Sequence, residues 1–391
     1  MKKIALLLFA ASTLPAQSLK GLWDATVTVN GQEIPFRMEL AGTPPAVQGW
    51  FFNGDEKVIS TSGRFEDNRL LLLFDYYAGK LEATFKDGEF TGSYSRPSGT
   101  YPFHAQRFRP AYTGGKDLPS IAGVWEMQAK STKGESAWRL IVRQSGPEVS
   151  AAILRVDGDT GTLTGTWRFG KFLLSHFSGA RPSLLEITPE VDGSLTVLQN
   201  GETLKARRAK EAREYGIPEP TDPSRHTSMK DPTARFHFSF PDLAGRIVSD
   251  TDARFRNKVV IVAIGGSWCP NCHDEAPFLV ELYRKYRSRG LEIVALSFED
   301  GDQLTNPARL RAFIKKYNIE YTTLLAGETT ELNAKIPQAV NLNSWPTSFF
   351  LGRDGSVRSV HAGFAGKAAG EFHTRLKEEV TALVEKLLNE K

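Results

Sequence analysis

The 391-residue sequence predicts a multidomain chain, an all-β N-terminal half followed by an α/β C-terminal domain, and three observations carry that expectation. Short segments of alternating polarity, separated by Gly, Asn and Asp turns, fill residues 17–205 and echo one another at an offset of about one hundred residues. From residue 233 onward, apolar runs alternate with helical periodicity. The only two cysteines sit in Trp268-Cys269-Pro270-Asn271-Cys272, where one such run passes into one such helix.

The chain opens with Met1-Lys2-Lys3 and the apolar run Ile4 to Ala11, a pattern expected of an export signal cleaved near Ala16, before Gln17. So short a run does not cross a bilayer core of about 30 Å. Residues 17–115 and 116–205 form the two expected β repeats. Gly21-Leu22-Trp23 recurs as Gly123-Val124-Trp125, and Gly63-Arg64-Phe65 before Leu70 to Phe74 recurs as Gly165-Thr166-Trp167 before Phe172 to Phe177. Phe85-Lys86-Asp87-Gly88 is echoed by Glu190-Val191-Asp192-Gly193. Two antiparallel units are expected, as barrels or sandwiches, with separate sheets or one shared sheet. The identities are few, so chance likeness between two all-β segments is the competing account. Trp50, Phe51, Phe52, Tyr76, Tyr77 and Tyr101 suit either a ligand or partner groove or, more commonly, core and cross-strand pairs.

Residues 206–232 read as a linker. Arg207, Arg208, Lys210, Glu211, Arg213 and Glu214 make a short charged helix, and Pro218, Pro220 and Pro223 stiffen the stretch after it. Such a connector holds the two halves at a limited range of distances.

In residues 233–391, Lys258 to Ile264 is β-branched and apolar throughout, as a strand covered on both faces must be. Gly265 and Gly266 permit a turn, and Phe278, Leu279, Leu282, Tyr283 and Tyr286 mark a helix that Gly290 caps. Cys269 therefore falls at a helix N-terminus, where unpaired N–H groups and the helix dipole favour a thiolate, so it is expected to be the nucleophile. Cys272, one turn further in, is placed to resolve a mixed disulfide. Leu291 to Phe298 and Tyr321 to Leu325 read as strands, Pro307 to Tyr317 as a helix, and Glu371 to Leu388 as a covering helix striped by Phe372, Leu376, Val380, Leu383 and Leu387. A zinc site lacks a second CxxC, with only seven histidines spread over the chain. A purely structural disulfide closing so short a loop removes little unfolded-state entropy.

Trp-Cys-Pro-Asn-Cys after an apolar strand resembles the thioredoxin superfamily. Cys269, Cys272, Glu275 and Pro277, spaced Cys-x-x-Cys-x-x-Glu-x-Pro, together with the hairpin-like Phe238 to Arg246, resemble its exported TlpA/ResA-like (redoxin) branch. The resemblance covers roughly residues 233–391 and implies a redox-active Cys269–Cys272 disulfide. It also implies a cis-proline at Pro346, within Trp345-Pro346-Thr347, that forms a substrate groove with Trp268 and Trp345. Thioredoxin buries an aspartate six residues before its first Cys; Ala263 stands there, which makes Glu275 the candidate proton acceptor. The competing reading of Glu275 is a first-turn acid complementing the helix dipole. Pro277 is expected to kink the helix. Glu299 reads better as a solvated loop acid than as a member of the active-site edge. His273 either stabilises the neighbouring thiolate when protonated or points into water.

The implied function is an exported, periplasmic thiol-disulfide oxidoreductase, a reductant of particular protein disulfides fed by a periplasmic electron donor, with no metal and no cofactor. A thiol peroxidase is weakened by Gly266 and Val262, where peroxiredoxins carry Thr and Pro. The remaining alternative is a ligand- or partner-binding β protein anchored by a thioredoxin-like module. A formal charge of +4 without a basic stripe excludes nucleic acid as an expected partner, and no later run is long enough to span a membrane.

Overall fold

The computed structural model describes residues 19–110 and 118–390. The expected leader, residues 1–16, lies outside the described residues, as does the stretch 111–117, where the sequence places the junction of the two repeats. Each repeat closes into an eight-stranded antiparallel barrel with its own sheet, so the barrel reading holds and a shared sheet does not. The first barrel runs from Gly21–Val29 to Gly99–Arg107, and those two strands pair to close it. The second runs from Gly123–Gln128 to Glu202–Arg207 and closes in the same way. Alternation supplies the interior: in Gln32–Thr43 the buried residues Ile34, Phe36, Met38 and Leu40 fall at every second position. Large side chains, including Trp23, Phe51, Phe74, Phe90 and Phe103, fill the first barrel.

The repeats are equivalent in detail, beyond chance likeness. Trp23 Nε1 donates to the Leu19 carbonyl at 3.1 Å, and Trp125 Nε1 to the Ile121 carbonyl at 2.8 Å. Arg107 covers the Trp23 ring and Arg208 the Trp125 ring, at 4.1 and 3.6 Å. Each barrel also carries a small strand paired to its third wall strand, Glu56–Ile59 in the first and Gly158–Asp159 in the second.

The barrels interlock. Phe177 leaves the wall of the second barrel and is fully buried in the core of the first, against Phe36, Phe51 and Tyr94. Its N–H and C=O are matched by Asn53, whose Oδ1 accepts at 2.9 Å and whose Nδ2 donates at 3.1 Å. The linker is likewise a packed element rather than a free spacer: Arg213 of the helix Ala209–Glu214 pairs with Glu126, and Ile217 is buried with Ala137 and Ala212.

In the C-terminal domain five strands take the order Thr322–Glu328, Leu291–Glu299, Val259–Gly265, Thr347–Leu351 and Val357–Ala362. The first three are parallel and the last two form an antiparallel hairpin. Helices Pro270–Tyr286 and Glu371–Asn389 cover one face through Phe278, Leu282, Leu376, Val380 and Val384. Phe236, Phe238, Phe240 and Val248 cover the other, which is why Val259–Gly265 is apolar at both parities. In the C-terminal helix Val384 is buried where the sequence stripe names Leu383, a drift of one position that 3.6 residues per turn produces.

Phe177→Ala is expected to lower the stability of the first barrel by about 3–5 kcal/mol although the residue belongs to the second. Urea unfolding followed by proteolysis mapping checks it; cleavage confined to the second barrel contradicts it.

Candidate active site

The strand Val259–Gly265 delivers the chain to a tight approach loop, Gly266-Ser267-Trp268, before the helix begins at Pro270. Gly266 is required there by close approach, because a Cβ would lie 2.4 Å from the Phe298 carbonyl oxygen and 2.3 Å from Trp268 Nε1. Trp268 Nε1 donates to that same carbonyl at 2.9 Å. Cys269 is the helix N-cap, and its Sγ accepts from the Cys272 N–H at 3.2 Å. Both thiols are free, and both residues are buried, Cys269 at 3% and Cys272 at 6% exposure. Burial and the adjacent Cys269 push the Cys272 thiol well above its usual pKa.

Trp345-Pro346 is a cis peptide. The Pro346 carbonyl accepts from the Gly363 N–H at 2.6 Å, while the backbone of Trp345 makes no hydrogen bond among the described residues. Trp268 and Trp345, two of the expected groove residues, meet edge to face at 5.5 Å.

Glu275 is buried one helical turn beyond Cys272 and accepts from Ser348 Oγ at 2.9 Å. Burial pushes its carboxyl up to about 7. A cavity of about 40 Å³ is lined by Cys272, Glu275, Ala263, Tyr321 and Thr323, large enough for water. Ala263 pairs with Ser348 across the sheet, and its small side chain leaves the space that Glu275 borders.

Two readings of the sequence are corrected. Glu299 is fully buried, not a solvated loop acid. It accepts from the Ser267 N–H and Oγ and from Ser297 Oγ, each at 2.7 Å, and pairs with Arg309 at 2.8 Å. Arg309 Nε donates to Ser267 Oγ at 2.9 Å and Nη1 to Asp300 at 2.8 Å. His273 is buried as well; its ring nitrogens lie 2.9 Å from the Ser267 carbonyl and 2.9 Å from Tyr317 Oη. Burial holds its pKa well below the usual histidine range, so it stands neutral and places no positive charge beside the sulfurs.

Sequence reasoning missed the β half's part in the site. Tyr76 and Tyr77, in a turn leaving the first barrel wall, pack on His273 at 6.0 and 4.3 Å, with Lys316 over the Tyr76 ring at 3.5 Å. From the second barrel, the Asp157 carbonyl accepts from Asn271 Nδ2 at 2.6 Å, and Arg181 Nη2 donates to Asn271 Oδ1 at 3.3 Å. No local pattern announces these contacts.

Residues 233–360 match the AhpC/TSA family model. The chain is 32% identical over 123 residues to the thiol-disulfide oxidoreductase ResA of Bacillus thuringiensis subsp. konkukian, a match covering 31% of this chain and 63% of that protein. It is 28% identical over 126 residues to the thioredoxin-like protein YneN of Bacillus subtilis, covering 32% and 68%. Among solved structures, a thioredoxin family thiol:disulfide interchange protein from Chlorobium tepidum is 26% identical, with 41% of this chain and 100% of that one covered and a TM-score of 0.31. The chain thus spans less than two thirds of the length of the Bacillus ResA proteins, and the family match lies wholly outside the barrels.

Arg309→Met leaves Glu299 buried without its cation and is expected to cost about 3–5 kcal/mol. The double variant Glu299→Leu/Arg309→Met is expected to recover most of that loss in urea unfolding of the C-terminal domain; no recovery contradicts the pairing argument.

Proposed function

We propose, from a C-terminal domain that belongs to the redoxins of the thioredoxin superfamily, that the protein is a thiol-disulfide oxidoreductase reducing protein disulfides. The observation that carries the reading is Cys269 at a helix N-cap, with its Sγ on the Cys272 N–H.

Cys269 Sγ attacks one sulfur of the substrate disulfide, forming a mixed disulfide and releasing the first substrate thiol. Glu275, ionised, takes the Cys272 proton through the shared cavity. Cys272 then attacks Cys269 Sγ, the second substrate thiol leaves, and the Cys269–Cys272 disulfide has given two electrons to the substrate. A dithiol donor outside the chain returns them. The unpaired backbone of Trp345 receives an extended substrate segment as an added strand. Trp268 and Trp345 wall that groove. The basic and apolar start of the sequence supports export to the periplasm, and among the described residues no helix is long and apolar enough to cross a membrane.

With Cys272→Ala, a mixed disulfide at Cys269 is expected to accumulate on incubation with oxidised protein substrates, visible as a reducible mass adduct. A Cys269→Ala variant that traps as well overturns the assignment of roles.

A carboxyl raised to about 7 is an acceptor only above that pH. The rate of the resolving step is therefore expected to climb as pH rises through about 7 and to lose that inflection in Glu275→Gln. The stability sign is opposite. Because the folded-state pKa lies above the unfolded one, the contribution is complete at low pH and is lost as pH rises through about 7. Stopped-flow exchange across pH 5.5–8.5, taken as about three units around the inflection, measures the first; an unchanged profile in the variant removes Glu275 from the mechanism.

A further inference from the structure

The second barrel places a piece of its own chain against the redox face. The small strand Gly158–Asp159 turns back onto the wall strand at Leu154 and Arg155, and the loop it belongs to, Val156 to Gly161, reaches Asn271 of the Cys-Pro-Asn-Cys motif and Phe364. Asn271, between the two cysteines, is held from both sides, by the Asp157 carbonyl at its Nδ2 and by Arg181 at its Oδ1. Arg181 also donates through Nη1 to the Asp159 carbonyl at 2.6 Å, so one guanidinium ties the loop to the motif. Gly158 forms a parallel β-bridge with Phe364, next to the Gly363 that is bonded to cis-Pro346.

The approach is as close as backbones allow. A Cβ on Gly158 would stand 2.3 Å from the Phe364 carbonyl oxygen and 2.7 Å from Asn271 Nδ2, and the residue has φ +116°. Only glycine lets the strand lie down here. Gly363 answers from the redox domain, where a Cβ would meet the Val156 carbonyl oxygen at 2.3 Å. The loop therefore sits on the residue between the two cysteines, both of which are buried.

This cover is built to come off. Its ties to Asn271 are hydrogen bonds, unlike the apolar plug of Phe177 that joins the barrels. Behind it a cleft of about 360 Å³ separates the second barrel, the linker and the redox domain, lined by Arg139, Arg155, Pro220, His361 and Phe372 among others. A polar, incompletely packed contact between domains of one chain is the kind that opens.

We propose that the Val156–Gly161 loop is an intramolecular gate occupying part of the protein-docking surface at Cys269, and that it must lift for a protein disulfide to reach the sulfur. The inference rests on Cys269 being the attacking group, as in the proposed function. It differs from that reading in assigning the barrels a regulatory part. In the closed form Cys269 exchanges with small disulfides and is barred to folded proteins. A partner that engages the barrels and draws the loop away makes the enzyme competent.

The test uses the full chain in a Cys272→Ser background, so that only Cys269 reacts, and compares alkylation by N-ethylmaleimide with alkylation by a polyethylene-glycol maleimide. Gly158→Val forces the loop off by collision, and Arg181→Ala removes its two ties without touching a barrel core. Each is expected to raise the rate ratio of bulky to small reagent about tenfold, since the observed rate scales with the open fraction. An unchanged ratio in Arg181→Ala, or in a Gly158→Val protein whose near-ultraviolet circular dichroism shows folded barrels, overturns the gate. Reduction of insulin by the same variants carrying Cys272 separates the two readings. A raised alkylation ratio with no insulin reduction by any variant leaves the gate standing and removes the oxidoreductase reading. Faster insulin reduction with an unchanged rate on dithiodipyridine supports both.

Discussion

The buried tie between Glu299, Arg309 and Ser267 is the constraint on which the redox site depends. Ser267 is the hinge of the approach loop; its N–H and hydroxyl are held by Glu299, and its carbonyl is met by His273. Arg309, from a different helix, closes the ring through Ser267 Oγ. Trp268 and Cys269 come directly after it in the chain, so their positions inherit this rigidity. A charged pair so deep contributes little net stability against an apolar substitute, but removing one member strands the other, and the loop is specified accordingly.

A second constraint sets the domains. Phe177 makes the two barrels one body, and both barrels meet the redox domain. The first barrel offers Tyr76 and Tyr77 to His273 and Lys316, an aromatic contact. The second offers backbone and Arg181 to Asn271, a polar contact. Contacts of such different character separate at different cost. The aromatic side acts as a buttress, and the polar side is where movement is easiest. The aromatics weighed in the sequence as a ligand groove thus divide: Phe51 is core, whereas Tyr76 and Tyr77 have the chain's own redox domain as their neighbour.

Legibility tracked the range of the interactions. The placing of Cys269 and Cys272 at a helix start was readable because strand, turn and helix N-cap are local and leave short motifs. Glu275 was readable because helical spacing carries it to the cysteine's face. Glu299 and His273 were misjudged for one reason. Each sits at the end of a regular element, where a polar residue is usually solvated, and each is buried by groups about 32 or 44 positions away along the chain. The short charged helix of the linker was readable in its composition, but its packing through Ala212 and Ile217 was not.

The sequence by itself determined the all-β and α/β halves, the repeat and the dithiol at a helix start, because periodicity and short-range backbone chemistry encode them. Tertiary structure alone decided barrel closure, the insertion of Phe177 into the other barrel, the burial of Glu299 against Ser267, and the seating of Gly158 on Asn271. Each of these joins residues distant in the chain through packing or single hydrogen bonds, and no local pattern records which distant partner fills a given space. Gly158 is the plainest case: in the sequence it is a turn glycine like many others, and only the neighbouring domain's backbone shows why a side chain has no room there.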